Sequence, residues 1–130
     1  MAEKHRISIL LDKLTVCRLD KNAEIPSWAL SHSFVCITRT AEELSLIAPD
    51  TLVPDHIPHD KGWRCVKVEG PLDFTLYGVL AALITPLAKE GISILAIATY
   101  DTDYFLVKET QLELTVSILE HEGYDVSYKT

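Results

Sequence analysis

The residues best suited to chemistry in this 130-residue chain are carboxylates in two short polar segments. Asp73 closes the segment Gly70–Asp73, and Asp101 and Asp103 belong to the segment Thr99–Asp103. Carboxylates pair well with an ammonium or guanidinium group. Asp73 also precedes an apolar-striped stretch with helical spacing, and a helix N-terminus favours an anion such as a ligand carboxylate. The two segments therefore favour the binding of a small ligand.

The neighbours of these carboxylates suit the same purpose, but each also has a purely structural interpretation. Gly70 would let a ligand approach the backbone closely, and Tyr100 could form a wall or stack on a cation. Alternatively, Asp73 only caps the helix that follows it. Asp101 and Asp103 could likewise only shape a hairpin turn. The sequence leaves both interpretations open.

Known catalytic templates do not occur in this sequence. The serine-hydrolase elbow, the phosphate-binding loop and the dinucleotide fingerprint are all absent. The three cysteines, Cys17, Cys36 and Cys65, lie in apolar stretches without a neighbouring base or a Cys-x-x-Cys pair. They are typical of small buried hydrophobes in a reducing compartment. We therefore expect a protein that is not an enzyme and needs no cofactor.

Two histidines, His56 and His59, form a His-x-x-His pair in a proline-rich stretch. Their spacing differs from the i, i+4 helical pair of zinc enzymes, and no second ligand cluster stands out. We therefore expect solvated loop histidines and no metal site.

Charge and hydropathy exclude several other classes of protein. The net charge is −7, from 12 basic and 19 acidic residues, whereas phosphate binding needs clustered Lys and Arg. No apolar run is long enough to span a membrane, and the first residues lack a secretion signal. We expect a cytoplasmic protein that binds neither nucleic acid nor membranes.

The second half of the chain has the clearer secondary-structure pattern. A strand at 63–69 precedes a helix across roughly 74–90, for which Asp73 is the expected N-cap and Gly91 the C-cap. Strands at 92–99 and 104–108 follow. A capping box at Thr110 opens a second helix that Gly123 closes, before a last strand at 124–128. The order β-α-β-β-α-β is that of the ferredoxin-like fold, an antiparallel sheet with two helices on one face.

The first half is shorter and less regular. It shows strands at 7–11 and 14–19 around a hairpin turn at Asp12-Lys13, then a helical turn at 25–30 and strands at 33–39 and 43–48. Three prolines make 49–62 the best candidate for a linker. We therefore predict an α+β protein with an abbreviated unit at 1–62 and a complete βαββαβ unit at 63–130.

Three stretches carry a resemblance to a known family. They are SFVCITRTAEELSLIA from Ser33, GPLDFTLYGVL from Gly70 and GISILAIATYDTDYFLV from Gly91. Together they resemble ACT domains, specifically the tandem ACT-like units of the CASTOR type, the arginine sensors of the mTORC1 pathway. Small bacterial homologues of that type place two ACT-like units in one short chain.

The resemblance implies a regulatory ligand sensor that binds an amino acid without catalysis. In that family the ligand is held between ACT units, at the β1–α1 and β2–β3 turns. The matching positions here are Gly70, Leu72, Asp73, Thr99, Tyr100, Asp101 and Asp103. The acidic residues favour a basic amino acid as the ligand, and the family habit implies a homodimer. The alternative is a protein-interaction or oligomerisation module whose ligand site has decayed.

Overall fold

A computed structural model describes residues 6–30, 34–69 and 78–129 of the chain. Its strands are β1 (Arg6–Leu19), β2 (Cys36–Arg39), β3 (Leu44–Pro49), β4 (His59–Val68), β5 (Leu95–Ala98), β6 (Asp103–Lys108) and β7 (Asp125–Tyr128). Its α-helices are α1 (Val79–Lys89) and α2 (Leu112–His121). Contacts divide the chain into two compact units: unit 1 comprises Met1–Leu11 with Arg64–Thr130, and unit 2 comprises Asp12–Trp63.

Strand β1 replaces the predicted hairpin at Asp12-Lys13, and that prediction was wrong. The strand runs without a break from Arg6 to Leu19. Distant partners hold it: the Glu69 N–H donates to the Arg6 carbonyl at 2.9 Å, and the Arg18 N–H donates to the Pro58 carbonyl at 3.0 Å. Asp and Lys at a possible turn give only a local preference, which these ladders override.

Strand pairing also explains why residues 6–11 belong with the second half of the chain. Arg6–Ile9 pairs with Asp125–Tyr128 of β7 in parallel. The predicted division at 62/63 lies next to the structural boundary at 63/64, but it had assigned the first strand to the other unit.

Unit 1 contains a sheet with the order β7-β1-β4-β6-β5. The β1–β7 pair is parallel and so departs from the predicted all-antiparallel sheet, whereas β5 and β6 are antiparallel. Alternate strand residues pack against both helices in one cluster, which includes Ile7, Ile9, Val66, Val68, Leu83, Leu87, Phe105, Val107, Leu112 and Leu119. Their side chains are almost wholly buried. This shared cluster favours the predicted placement of both helices on one face, which stays a prediction.

Both helices end in the same motif, as the glycines predict. Gly91 has φ +74°, and its N–H donates to Ala88 while the Ile92 N–H donates to Leu87. Gly123 has φ +95°, and the Gly123 and Tyr124 N–H groups bond Glu120 and Leu119 in the same way. This is the Schellman motif, in which a glycine adopts the left-handed conformation.

The helix starts are less well predicted. The described part of α1 begins at Val79, after Gly78 with φ +73°. The predicted cap, Asp73, lies outside the described residues. Helix α2 begins at Leu112 after a 3-10 turn at Glu109–Gln111, and neither start has a side-chain cap hydrogen bond. The predicted capping box at Thr110 was therefore wrong, because a 3-10 turn leads into α2 and the Leu112 N–H donates to the Glu109 carbonyl.

Unit 2 contains β2, β3 and the adjoining parts of β1 and β4. Leu14–Leu19 of β1 pairs with β3, and β3 pairs with β2, both antiparallel. Its described helical segments are 3-10 turns at Ser27–Ala29 and Asp50–Leu52. The predicted linker at 49–62 is largely structured, since β4 already starts at His59 and Ile57 is 8% exposed. Prolines break helices but do not prevent such packing.

Candidate ligand-binding turn

The acidic turn between β5 and β6 is a tight and well-bonded hairpin. The Thr99 N–H donates to the Thr102 carbonyl at 2.9 Å. The Thr99 hydroxyl donates to the same carbonyl at 3.0 Å and accepts the Thr102 N–H at 3.2 Å. Thr99 thus closes the turn with its backbone and its side chain, as Ser and Thr do in such loops. Tyr100 and Asp101 form the tip.

The side chains of this turn face solvent to different degrees. Tyr100 is 80% exposed, Asp101 is exposed, and Asp103 is half-buried at the first position of β6. Within the described residues, neither carboxylate accepts a hydrogen bond or forms an ion pair. The hydrogen bonds that close the turn come from the threonines.

The other predicted segment lies outside the described residues, so Gly70, Leu72 and Asp73 remain predictions. The residue before it, Glu69, is described. Its Oε1 atom lies 3.2 Å from the Lys67 ammonium and 3.7 Å from the Lys129 ammonium. Sequence reasoning missed this cluster. Lys67 and Glu69 are two positions apart, so their side chains lie on the same side of an extended chain, and the sequence alone could have indicated this pair. Lys129 is close to them only in the folded chain.

The strand order places Glu69 and the acidic turn at the same end of the unit 1 sheet. Helix α1 and then strand β5 follow β4 in the chain, and β4 and β5 lie on either side of β6 in the sheet. A helical crossover joins parallel strands, so β4 and β5 run the same way, while β6 is antiparallel to β5. The residue after β4, Glu69, and the first residue of β6, Asp103, therefore lie at the same end of the sheet.

The described N-terminus of α1, which follows residues 70–77 in the chain, suits an anion. The first N–H groups of a helix have no partner within the helix. The first turn of α1 contains no acidic residue, and the cap residue, Gly78, has no side chain that could bond these N–H groups. An anionic group would meet no like charge from this turn.

A groove of about 730 Å³ lies elsewhere in unit 1, on α1 and α2. Its lining residues are Ala81, Ala82, Thr85, Pro86, Lys89, Glu90, Ser117, Ile118, His121 and Glu122. None of the predicted site residues lines it. The charged side chains on its rim are all exposed, so the groove is a surface depression whose charged groups face solvent.

The thiols and histidines show no sign of a reactive or metal site in the part of the chain that is described. Burial raises the pKa of the Cys17 and Cys36 thiols, which disfavours the nucleophilic thiolate. The ring Nδ1 of His59 lies 2.6 Å from the Ile57 carbonyl oxygen. Across residues 6–30, 34–69 and 78–129, three or more His, Cys, Asp or Glu side chains never converge as a metal site would require.

No helix among the described residues is long and apolar enough to cross a membrane.

Comparison with protein families matches both parts of the chain. An ACT domain model matches residues 59–121, which include all of α1, α2 and the acidic turn. A second model, described only as an N-terminal domain, matches residues 12–60. The two matches meet close to the boundary between the units.

Curated relatives are cytosolic arginine sensors for mTORC1. The rat protein is 29% identical over 112 residues, which is 84% of this chain and 33% of the relative. The human protein is 28% identical over 95 residues, 72% of this chain and 28% of the relative. The chain therefore spans about a third of the length of these relatives.

Solved structures agree on the fold. A protein from Agobacterium tumefaciens is 34% identical, with a TM-score of 0.92 over 99% of this chain and 96% of that one. The alpha and beta subunits of an aspartokinase superpose with a TM-score of 0.63 at 19% identity, over 89% of this chain and 95% of that one. At that identity the likeness concerns the fold alone. Residues 59–121 therefore belong to the ACT domain family, and the chain is similar over most of its length to the cytosolic arginine sensors.

Proposed function

We propose that this protein is a regulatory sensor that binds an amino acid and catalyses no reaction. The observation that carries the proposal is the acidic hairpin turn inside the ACT-matched region, with two carboxylates that the described residues leave unpaired. The arginine-sensor relatives support the same role. Burial raises the pKa of two of the thiols, which supports a non-catalytic role.

The two charges of an amino acid match two features of unit 1. Its carboxylate would bind near the N-terminus of α1, where the first turn carries no acidic side chain. A cationic group would bind Asp101 and Asp103, and the exposed ring of Tyr100 would stack on it. Gly70, Leu72 and Asp73 would complete the site from the preceding segment. This arrangement favours a basic amino acid, held where ACT units meet.

The assembly and compartment follow from the same proposal. We expect a homodimer in the cytoplasm that needs no metal or cofactor for ligand binding. The relatives are named as cytosolic sensors, which supports the compartment.

A screen of the twenty amino acids by thermal unfolding tests the proposal. A ligand at about 100 times its Kd stabilises the folded state by about 2.7 kcal/mol, enough to shift Tm by several degrees. We expect a shift with at least one amino acid. If none of the twenty shifts Tm at millimolar concentration, the sensor function is wrong.

Paired variants test the assigned carboxylates. Asp101→Asn and Asp103→Asn should each reduce the shift produced by a basic amino acid, because each removes one charge from the turn. Asp125→Asn is the matched control, since Asp125 is also exposed but opens β7. Equal shifts in all three variants would reject the roles of Asp101 and Asp103 while leaving the sensor function intact.

A protein-interaction module with a decayed ligand site is the second candidate. The exposure of Tyr100 at 80% and Leu11 at 66% favours it, because large apolar side chains at the surface often mark contacts. The two candidates differ in the amino-acid screen: the interaction module predicts no shift.

A further inference from the structure

The groove on α1 and α2 has the shape of a site for an elongated partner. It follows α1 from Ala81 to Glu90, a rise of about 13 Å along the helix axis, and α2 from Ser117 to Glu122. Its volume is about 730 Å³. None of the residues of the acidic turn lines it, so the groove is a separate feature of unit 1.

Short side chains line the middle of this groove. Ala81, Ala82 and Ser117 are exposed there. Pro86 and Ile118 are half-buried and give the groove apolar contact area, and Ile118 also packs against the core cluster of unit 1. Helices pack by fitting the side chains of one into the groove of another, at a distance set by the side chains in contact. The short side chains here therefore allow the backbone of another helix to approach closely.

The groove also has a backbone carbonyl that lacks its usual helical donor. Pro86 lies inside the described part of α1 and has no N–H, so the Ala82 carbonyl loses the bond from the residue four positions later. The Thr85 hydroxyl does not replace that donor, because it donates to the Ala81 carbonyl at 2.7 Å. Ala82 and Pro86 both line the groove. The Ala82 carbonyl can therefore accept a hydrogen bond from an occupant.

The charges of the two helices favour a basic occupant. With their C-cap residues, the helices carry four acidic side chains and one lysine: Glu90, Glu113, Glu120, Glu122 and Lys89. The groove itself is lined by two of these carboxylates and the lysine, with His121 counted as neutral. Lys89 lies in the last turn of α1, where a cation already interacts favourably with the helix dipole. The net charge of the chain, −7, also attracts basic surfaces and repels acidic ones.

We propose that this groove binds a basic amphipathic helix of another protein. The apolar face of that helix packs on Pro86 and Ile118, and its basic side chains pair with Glu90 and Glu122. A helix fits better than a small molecule, because a small ligand needs a pocket that covers most of its surface, whereas the charged rim of this groove faces solvent. The inference goes beyond the amino-acid site, since it assigns a separate surface of unit 1 to a protein partner.

Matched peptides and matched variants of the intact chain test the groove. The probe is a fluorescein-labelled amphipathic peptide of leucine, alanine and lysine, about four helical turns long, and its control has glutamate in place of lysine. In fluorescence polarisation we expect the lysine peptide to bind and the glutamate peptide not to bind. Ala82→Leu fills the groove and should weaken binding about tenfold or more. Ala88→Leu should leave binding unchanged, because Ala88 is also exposed on α1 but does not line the groove.

The charge pairing has its own matched variants. Glu122→Gln should weaken binding of the lysine peptide about two- to fivefold, because one exposed charge pair contributes modestly. Glu113→Gln changes the net charge equally and lies on the same helix, but Glu113 is exposed outside the groove, so binding should not change. Equal weakening by both variants would mean that only the overall charge attracts the peptide, and it would overturn the proposed pairing.

Other results assign the groove to a different occupant and overturn the proposal. These are no binding of the lysine peptide, equal binding by Ala82→Leu and Ala88→Leu, or binding of spermine alone that Ala82→Leu abolishes. A change of oligomeric state in Ala82→Leu, measured by analytical ultracentrifugation, would assign the groove to a second copy of the chain. If Ala82→Leu fails to fold, Ser117→Leu fills the groove from α2 and repeats the test. An amino-acid shift in Tm without peptide binding would overturn only this inference and leave the sensor function standing.

Discussion

The two units of this chain achieve a folded core by different means. Among the described residues, unit 1 buries a cluster of twelve that come from its two α-helices, its strands and the loops after the helices. Unit 2 buries a cluster of five, Cys17, Ala29, Leu44, Leu46 and Ile57, and its described helical segments are single 3-10 turns. Side-chain hydrogen bonds also join segments of unit 2. Thr15 donates to the Asp50 carboxylate at 2.5 Å, and Arg39 donates to the carbonyls of Lys21 and Ala23. The comparison shows a larger apolar cluster in unit 1, and in unit 2 a smaller cluster together with hydrogen bonds that join segments distant in sequence.

The largest expected effect comes from opening the larger core. Phe105→Ala should lower the free energy of unfolding by about 3–5 kcal/mol, because Phe105 is fully buried in unit 1 and its removal leaves a cavity. Leu46→Ala, in the smaller cluster of unit 2, should cost about 2–3 kcal/mol, since a smaller cluster collapses more easily. Urea unfolding measures both. A larger loss for Leu46→Ala would reverse the comparison.

The control for these cavities is an exposed aromatic residue. Tyr100→Ala should change the free energy of unfolding by less than about 0.5 kcal/mol, since Tyr100 lies at the surface of unit 1. A loss near that of Phe105→Ala would show that Tyr100 is covered in solution.

Replacing one glycine in each unit should lower the free energy of unfolding by equal amounts, and by less than opening the core does. Gly91 in unit 1 has φ +74° and Gly62 in unit 2 has φ +84°, and an added Cβ would meet no atom within 4 Å at either. Gly91→Ala and Gly62→Ala should therefore cost only the left-handed conformation, about 1–2 kcal/mol each. Gly91→Asn should cost less, because Asn tolerates this region. Thermal unfolding of the three variants checks this, and unequal alanine costs would reveal a difference in local packing.

The last prediction compares two buried threonines, Thr15 and Thr115. Thr15→Val in unit 2 leaves the Asp50 carboxylate without its donor and should cost about 1–3 kcal/mol. Thr115→Val in unit 1 removes a 2.8 Å bond to the Gln111 carbonyl within the same segment and should cost about 1 kcal/mol or less. Urea unfolding of both variants gives the comparison. If Thr115→Val lowers the free energy of unfolding more than Thr15→Val does, buried side-chain hydrogen bonds matter as much in unit 1 as in unit 2.

Local features were the part of the fold that the sequence predicted well. The ends of both helices at Gly91 and Gly123 are confirmed, because a glycine in the left-handed conformation stops a helix regardless of distant contacts. The resemblance to ACT domains is confirmed by the family match. The capping box at Thr110 failed because Ser and Thr patterns also occur in 3-10 turns. For the candidate site, the sequence found the acidic turn but not the Lys129 partner of Glu69.

The sequence by itself determined the two helix ends, the apolar stripes and the acidic turn at Thr99–Asp103, since each depends on residues a few positions apart. Only the tertiary structure decided that β1 continues through Asp12 and Lys13, and that residues 6–11 join unit 1 through a parallel ladder with β7. The first outcome depends on hydrogen bonds from β1 to Pro58 and Glu69, and the second on a ladder between strands more than a hundred residues apart in sequence. Local propensity carries no information about such partners, because the free energy that selects them comes from pairing and burial in the complete fold.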